Sequence, residues 1–262
     1  MTAPLKIGVG GALGRMGRAV TALAREKPGV VIAGRSDRPG MADEGGDAPA
    51  LASLDEVLAA SEVIIDFSTG AASAVLARAA AARGAPALVI GATGLGPDEV
   101  RAIAEAAGAI PIVKSGNYSV GVNVLAGLVE QAARRLPPEI WDIEVLEVHH
   151  RRKVDAPSGT ALLLAEAAAR GRGRDLSEIA VAPRDGITGP RPEGAIGFAS
   201  LRGGGVVGEH SVIFAAEEET LTLSHSARDR ALFARGALEA ALWVVGKPPG
   251  LYDMIDVLGF RD

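Results

Sequence analysis

The densest chemistry in the chain lies in EVHHRRKVDAPSGT, the fourteen residues from Glu147 to Thr160. His149 and His150 are adjacent, and imidazoles exchange protons near neutral pH. Arg151, Arg152 and Lys153 attract anions, and a lysine can both hold a carboxylate and deliver a proton. Ser158, Gly159 and Thr160 run into an apolar helical pattern, Ala161 to Ala169. Backbone N–H groups at a helix start bind carboxylate or phosphate. Each feature alone has a plainer reading, as a solvated charge run or a helix cap. Their coincidence in one stretch favours a place that holds a small polyanion and protonates it. One geometric condition applies: in a regular strand His149 and His150 face opposite sides, so both reach one ligand only where the strand ends or bulges.

A second chemical signal is glycine. Gly8, Gly10, Gly11, Gly14 and Gly17 lie between a strand-like run, Leu5 to Val9, and a helical run, Arg18 to Arg25. The common dinucleotide fingerprint G-x-G-x-x-G fails at Leu13, but the variant Gly11-x-x-Gly14-x-x-Gly17 fits. It serves the same need: a tight turn, close approach of backbone to a pyrophosphate, and a helix pressed onto the strand. Asp37 follows a second strand, Val30 to Ala33, where an acid accepts hydrogen bonds from the adenine ribose. Arg38 beside it can pair with the extra phosphate of NADP, which leaves NADH against NADPH open.

The elements that must position these groups alternate through the first half. Strands are expected at Val63–Phe67, Ala87–Ile90 and Ile110–Val113, and helices at Ala71–Arg83 and Pro97–Ala107, with a capping box at Ser53 to Glu56. Gly40 to Ala48 is acidic and glycine-rich and is expected to be mobile. Alternation implies a parallel α/β sheet, whose ligands collect at the carboxyl ends of the strands. The loops Gly91-Ala92-Thr93-Gly94 and Ser115-Gly116-Asn117-Tyr118 therefore point at the same ligand as the glycine turn. The pattern then changes. A helix, Val122 to Leu136, stops at Pro137-Pro138, and Ile143 to Leu146 reads as a strand. A loop, Gly171 to Gly194, precedes three consecutive strands, Ile196–Leu201, Val206–Ala216 and Thr220–Ser226, so the second region reads as α+β. His210 and His225 in these strands read as structural or surface histidines. A long apolar helix, Ala231 to Val245, and a short tail, Leu251 to Leu258, are expected to return to the first domain.

Composition narrows the classes. With 262 residues and 48% hydrophobic content the chain is globular, and with 3% aromatics its core rests on Ala, Val, Leu and Ile. A net charge of -5 argues against a nucleic-acid surface. The absence of cysteine excludes disulfides, thiolate metal sites and cysteine nucleophiles, and fits a cytoplasmic protein. The first residues enter a strand pattern at once, which argues against a signal peptide, and no apolar run approaches the ~20 residues of a membrane span. No metal site is expected.

The motifs together resemble the 4-hydroxy-tetrahydrodipicolinate reductase (dihydrodipicolinate reductase) family of lysine and diaminopimelate biosynthesis, nearly end to end. The resemblance rests on GALGRMGR at Gly11, DFST at Asp66, VIGATG at Val89, NYSVGVNV at Asn117, EVHHRRKVDAPSGTA at Glu147, IGFASLRGG at Ile196, VGEHSVIFA at Val207 and ALWVVGKPPGLYDMIDVLG at Ala241. It implies a Rossmann-like parallel-sheet cofactor domain, residues 1–120 completed by 229–262. It further implies an α+β domain with a mixed sheet, residues 121–228, for substrate binding and tetramerisation. NADH or NADPH would be held by Gly11, Ala12, Leu13, Gly14, Arg15 and Met16. Asp37 and Arg38, the loop Gly91, Ala92 and Thr93, and the loop Ser115, Gly116, Asn117 and Tyr118 would complete that site. His149 would be the acid/base and Lys153 a proton donor. His150, Gly159 and Thr160 would hold the substrate's carboxylates, in a homotetramer with no nucleic-acid or membrane partner. The chain departs from the commonest pattern at Arg152, where some members carry histidine. Two other readings compete: a different small-acid NAD(P)-dependent dehydrogenase of similar architecture, and a nicotinamide-binding sensor without catalysis.

Overall fold

The computed structural model describes residues 3–38, 40–41, 48–181 and 183–261. Most of the acidic Gly40–Ala48 stretch, and with it the expectation of mobility, lies outside the described residues. The chain divides into two compact units, Met1–Val120 with Ala231–Asp262, and Gly121–Arg230.

The first unit opens with β1 (Leu5–Gly10), α1 (Arg15–Glu26), β2 (Val30–Ser36), α2 (Leu54–Ala60), β3 (Val63–Asp66), α3 (Gly70–Arg83), β4 (Ala87–Ile90), α4 (Pro97–Ala106) and β5 (Pro111–Lys114). Its strands are short and apolar on both faces, as a sheet covered by helices on both sides requires. Along β3, Val63 and Ile65 enter one core with Ile7, Val9, Val20 and Ala24, while Ile64 enters the other with Leu76, Leu88, Ile103 and Ile112. The second unit carries α5 (Val120–Arg135), β6 (Asp142–His149), α6 (Gly159–Gly171), α7 (Leu176–Ile179), β7 (Ala180–Val181), β8 (Ile196–Arg202), β9 (Gly208–Ala215) and β10 (Thr220–Ala227). The chain then returns to the first unit with α8 (Ala231–Val244), β11 (Gly250–Tyr252) and α9 (Met254–Val257).

The first sheet has six parallel strands in the order β11-β5-β4-β3-β1-β2. The sequence pattern supplies five of them. The sixth, β11, is three residues behind Pro248-Pro249, too short to show a period, and pairs with β5 only once the sheet exists. α8 buries Ala234, Ala237, Leu238, Ala240, Ala241 and Val244 in the first core. The second sheet is mixed, in the order β10-β9-β6-β8-β7. Its centre, β6, runs parallel to β8 and antiparallel to β9. β6 alternates strictly, with Ile143, Val145, Glu147 and His149 on the buried face, against which α6 packs. This strand continues three residues beyond Leu146, where the apolar pattern stops. Glu147 and His149 stay in the strand because the neighbouring strands supply their partners. The Gly171–Gly194 loop contains α7 and β7, elements too short for periodicity to reveal.

Candidate active site

The glycine turn between β1 and α1 is built by backbone. Gly11 has φ 63°, a conformation that glycine adopts without steric cost. A Cβ on Gly17 would fall on the Gly11 carbonyl oxygen and the Ala12 Cα, so α1 can press onto the turn only with glycine there. The helix cap is Gly14, which offers no side-chain hydrogen bond to the first amides of α1. Asp37 fixes the turn: its Oδ2 accepts the Leu13 N–H at 2.8 Å and its Oδ1 the Arg38 N–H at 2.8 Å. The Ala12 N–H donates to the Ser36 carbonyl at 3.1 Å. A carboxylate has about four acceptor positions, so Asp37 keeps capacity for ribose hydroxyls while it holds the turn. Arg38 is exposed. Beneath the turn, Asp66 is buried and accepts from the Ser68 N–H at 3.1 Å and from the Ser73 hydroxyl. Burial raises its pKa.

The loops after β4 and β5 extend the same carboxyl edge. Gly91 lies so close to the Phe67 ring that any side chain would overlap it; Ala92 is buried and Thr93 exposed. Ser115 Oγ donates to the Asn117 carbonyl at 2.7 Å and accepts the Asn117 N–H at 3.2 Å. Asn117 Oδ1 accepts the Ser119 N–H at 2.8 Å, and Gly116 is exposed. Tyr118 is buried, with its hydroxyl between the carbonyls of Ile90 at 2.9 Å and Val113 at 3.0 Å. It braces the ends of β4 and β5 and meets Phe67 edge to face at 5.7 Å. A glycine-shaped cradle, an uncapped helix start and an acid after β2 together fit a dinucleotide.

The second group of residues is built by side chains. Glu147 is fully buried, 0% exposed, although it is an acid in the middle of a sheet. Its Oε2 receives His149 Nδ1 at 2.6 Å and Arg202 Nη1 at 2.8 Å; its Oε1 receives Arg202 Nη2 at 2.7 Å and the Ser158 N–H at 3.3 Å. Burial alone would raise the Glu147 pKa, but the Arg202 guanidinium foremost, with His149, holds it at about 2. Arg202 lies opposite His149 in the parallel β6–β8 register and donates also to the Asp155 carbonyl at 2.8 Å. His149 is 8% exposed. Its Nε2 lies 3.0 Å from where a Cβ on Gly208 would sit. His210 meets His149 edge to face at 5.0 Å, and its Nε2 lies 3.1 Å from Ser158 Oγ. Burial first, then the neighbouring His149, pulls the His210 pKa down to about 4, so this imidazole is neutral near pH 7. Ser158 Oγ also caps α6 by accepting the Ala161 N–H at 3.1 Å.

The other expected residues of this stretch fall in its margins. The strand ends at His149, and the turn Lys153 N–H to His150 carbonyl, 3.1 Å, follows. His150 therefore leaves the strand, and its Nε2 lies 3.4 Å from Arg230 Nη2 rather than in the Glu147 cluster. Burial, with Arg152 and Arg230 nearby, lowers its pKa. Lys153 Nζ is paired with Asp155, at 2.8 and 2.9 Å to its two oxygens. The pairing lowers the Asp155 pKa. Gly159 opens α6 as an exposed residue and Thr160 follows, half-buried. Glu147, Arg202 and His210 are the residues that sequence reasoning left without a role. The period of two in a strand could have put Glu147 beside His149; nothing local could have brought Arg202 or His210.

A doubly wound sheet with a glycine turn, joined to a mixed-sheet unit carrying a buried acid and histidine, defines a nicotinamide-dependent oxidoreductase of two units. Comparison narrows the class. "Dihydrodipicolinate reductase, N-terminus" matches residues 5–118, and "Dihydrodipicolinate reductase, C-terminus" matches residues 121–258. The 4-hydroxy-tetrahydrodipicolinate reductase of Caulobacter vibrioides is 59% identical over 261 residues, 100% of each chain. That of Rhizobium rhizogenes is 55% identical over 266 residues, 97% of each chain. The chain belongs to the dihydrodipicolinate reductase family. A solved dihydrodipicolinate reductase from a Paenisporosarcina species, with dipicolinate bound, shares the fold: TM-score 0.79 and 19% identity, covering 97% of this chain and 98% of that one.

Proposed function

We propose that the chain reduces 4-hydroxy-tetrahydrodipicolinate to tetrahydrodipicolinate, with NADH or NADPH as reductant, in diaminopimelate and lysine biosynthesis. The substrate loses its hydroxyl as water, and the conjugated ring takes up one hydride and one proton, leaving NAD(P)+. The nicotinamide supplies the hydride; the protein supplies position, charge and the proton.

The turn Gly11 to Met16, Asp37 and Arg38, Gly91 to Thr93, and Ser115 to Tyr118 hold the cofactor, so the first unit is the cofactor domain. Lys153 exchanges Asp155 for a substrate carboxylate and delivers a proton, and His149 acts as acid/base through Nε2. His150 and the start of α6 at Gly159 and Thr160 orient the carboxylates. A helix N-terminus contributes about 0.3–1 kcal/mol to an exposed anion, so most of the attraction falls to the cations. The second unit is the substrate and tetramerisation domain, with the protein a homotetramer in the cytoplasm. Among the described residues no helix is long and apolar enough to cross a membrane.

The observation that carries the reading is His149 seated on a buried carboxylate at the start of α6, beside the turn that bears Lys153. The test is to follow reduced-nicotinamide absorbance with purified protein. Oxidation only when 4-hydroxy-tetrahydrodipicolinate is supplied supports the reading; cofactor binding without turnover on it ends it. Light scattering checks for four copies.

A further inference from the structure

We propose that Glu147, clamped by Arg202, is the positioning residue of this site. It accepts the Nδ1–H of His149 and so leaves Nε2 as the atom that exchanges a proton with the substrate. The inference rests on the reductase reading above and adds a residue and a tautomer to it.

An ionised carboxylate only accepts hydrogen bonds. Glu147 is ringed by donors: the Arg202 guanidinium on both oxygens, the Ser158 N–H on one, and His149 Nδ1 on the other at 2.6 Å. The only chemistry that leaves no clash puts a proton on Nδ1. Neutral His149 then offers Nε2 as its base, and protonated His149 offers Nε2–H as its acid. A proton given from Nε2 leaves Nδ1–H where it was, and the ring returns to the same tautomer. The same carboxylate governs two neighbouring features. It accepts the Ser158 N–H at the cap of α6, and Arg202 passes on to the Asp155 carbonyl, in the loop whose acid holds Lys153. One buried oxygen pair thus sets the histidine, the helix start and the lysine loop.

The variant Glu147→Gln turns this logic around. The carboxamide must place its NH2 at one of two positions. At the Oε1 position it would meet Arg202 Nη2 and the Ser158 N–H, neither of which can accept. At the Oε2 position it meets Arg202 Nη1 and His149 Nδ1, and only the imidazole can become an acceptor. Glu147→Gln therefore forces the proton to Nε2.

The experiment uses full-length protein labelled with 15N-histidine. The chain has four histidines, so substituting each in turn assigns the ring signals. In the unaltered protein, neutral His149 should show the Nδ1–H pattern; a predominant Nε2–H pattern overturns the proposal whether or not any Glu147 variant folds. In Glu147→Gln the pattern should switch. Turnover should fall by as much as about 10⁴-fold, the scale seen when an acid–imidazole pair is given the wrong tautomer, with KM for both substrates within a few-fold. Glu147→Asp, which keeps the charge, should retain the tautomer and recover part of kcat. A Glu147→Gln protein with near-normal kcat, or an unchanged tautomer, refutes the role. Absence of turnover in the unaltered protein would instead strike the reductase reading, and the labelled spectrum would still decide the tautomer.

Discussion

The glycine turn and the Glu147 cluster are both tightly determined local structures, but they are built of different materials. The turn uses backbone: Gly11 at positive φ, Gly17 where a Cβ would strike the Gly11 carbonyl, and one acid, Asp37, holding the Leu13 amide. Its parts lie within the first 37 residues and its shape follows from what is missing at three positions. The cluster uses side chains from β6, the α6 cap, β8 and β9, and its centre is a charge withdrawn from water. A backbone site tolerates no added atoms; a side-chain site tolerates no lost partners. Removing groups should therefore injure the second unit most, and adding them the first.

The largest effect expected is on chemistry alone. Lys153→Ala should lower turnover by about 10²–10⁴-fold, the range of general acid–base groups, while cofactor Kd stays within twofold. Steady-state kinetics with equilibrium cofactor titration separates the two. Turnover near the unaltered value would remove Lys153 from the reaction.

Next is a stability effect confined to the cluster. His210 is held near pKa 4 against an ordinary 6.5, chiefly by burial. Between those pH values the unfolded chain binds a proton that the folded chain refuses. Stability is then full above pH 6.5 and declines as pH falls toward 4, by about 3 kcal/mol at most. His210→Asn should flatten that segment of a urea-midpoint profile. Glu147, held at about 2 against 4.5, adds a separate decline below pH 4.5 that the same variant leaves in place. A profile unchanged by His210→Asn would mean that this imidazole is not held neutral by the fold.

Adding one carbon tests the other region. Gly17→Ala should cost about 1–3 kcal/mol as overpacking and weaken NADH binding at least tenfold, because the turn must move to admit the methyl. Binding of pyridine-2,6-dicarboxylate, followed by calorimetry, should stay the same. Loss of both ligands together would show that the two regions do not behave separately.

The contrast also explains what the sequence could tell. The doubly wound sheet was legible because each strand carries its own apolar run and each helix its own period. β11 was not, since three residues carry no period and only β5 gives them a partner. Gly11, Gly14 and Gly17 announced the turn by spacing alone. The stretch from Glu147 to Thr160 announced a charged site through its histidines and cations, but gave no role to its own first residue. The structure puts the centre at Glu147, whose burial depends on Arg202, 55 residues further on. His210 was read as structural or surface; it is buried against His149 through the β6–β9 pairing, 61 residues away and invisible locally. Local spacing reports backbone devices, whereas networks of side chains depend on register between distant strands.

The smallest expected effect concerns cofactor choice, and it sharpens the contrast because it touches a side chain at the backbone site. Asp37 has one oxygen on the Leu13 amide and the other on the Arg38 amide, so its position is set by main chain and should not change when the Arg38 side chain is cut. The Arg38 guanidinium is exposed, and an exposed charged hydrogen bond to phosphate lies at the low end of about 1.5–3 kcal/mol. Arg38→Ala should therefore weaken NADPH by about tenfold and leave NADH within twofold, measured by fluorescence titration of both in the same buffer. Raising the salt should erase the difference in the unaltered protein, since a surface ion pair is screened. An equal loss for both cofactors would mean that Arg38 supports the turn, and that this region too depends on side-chain partners.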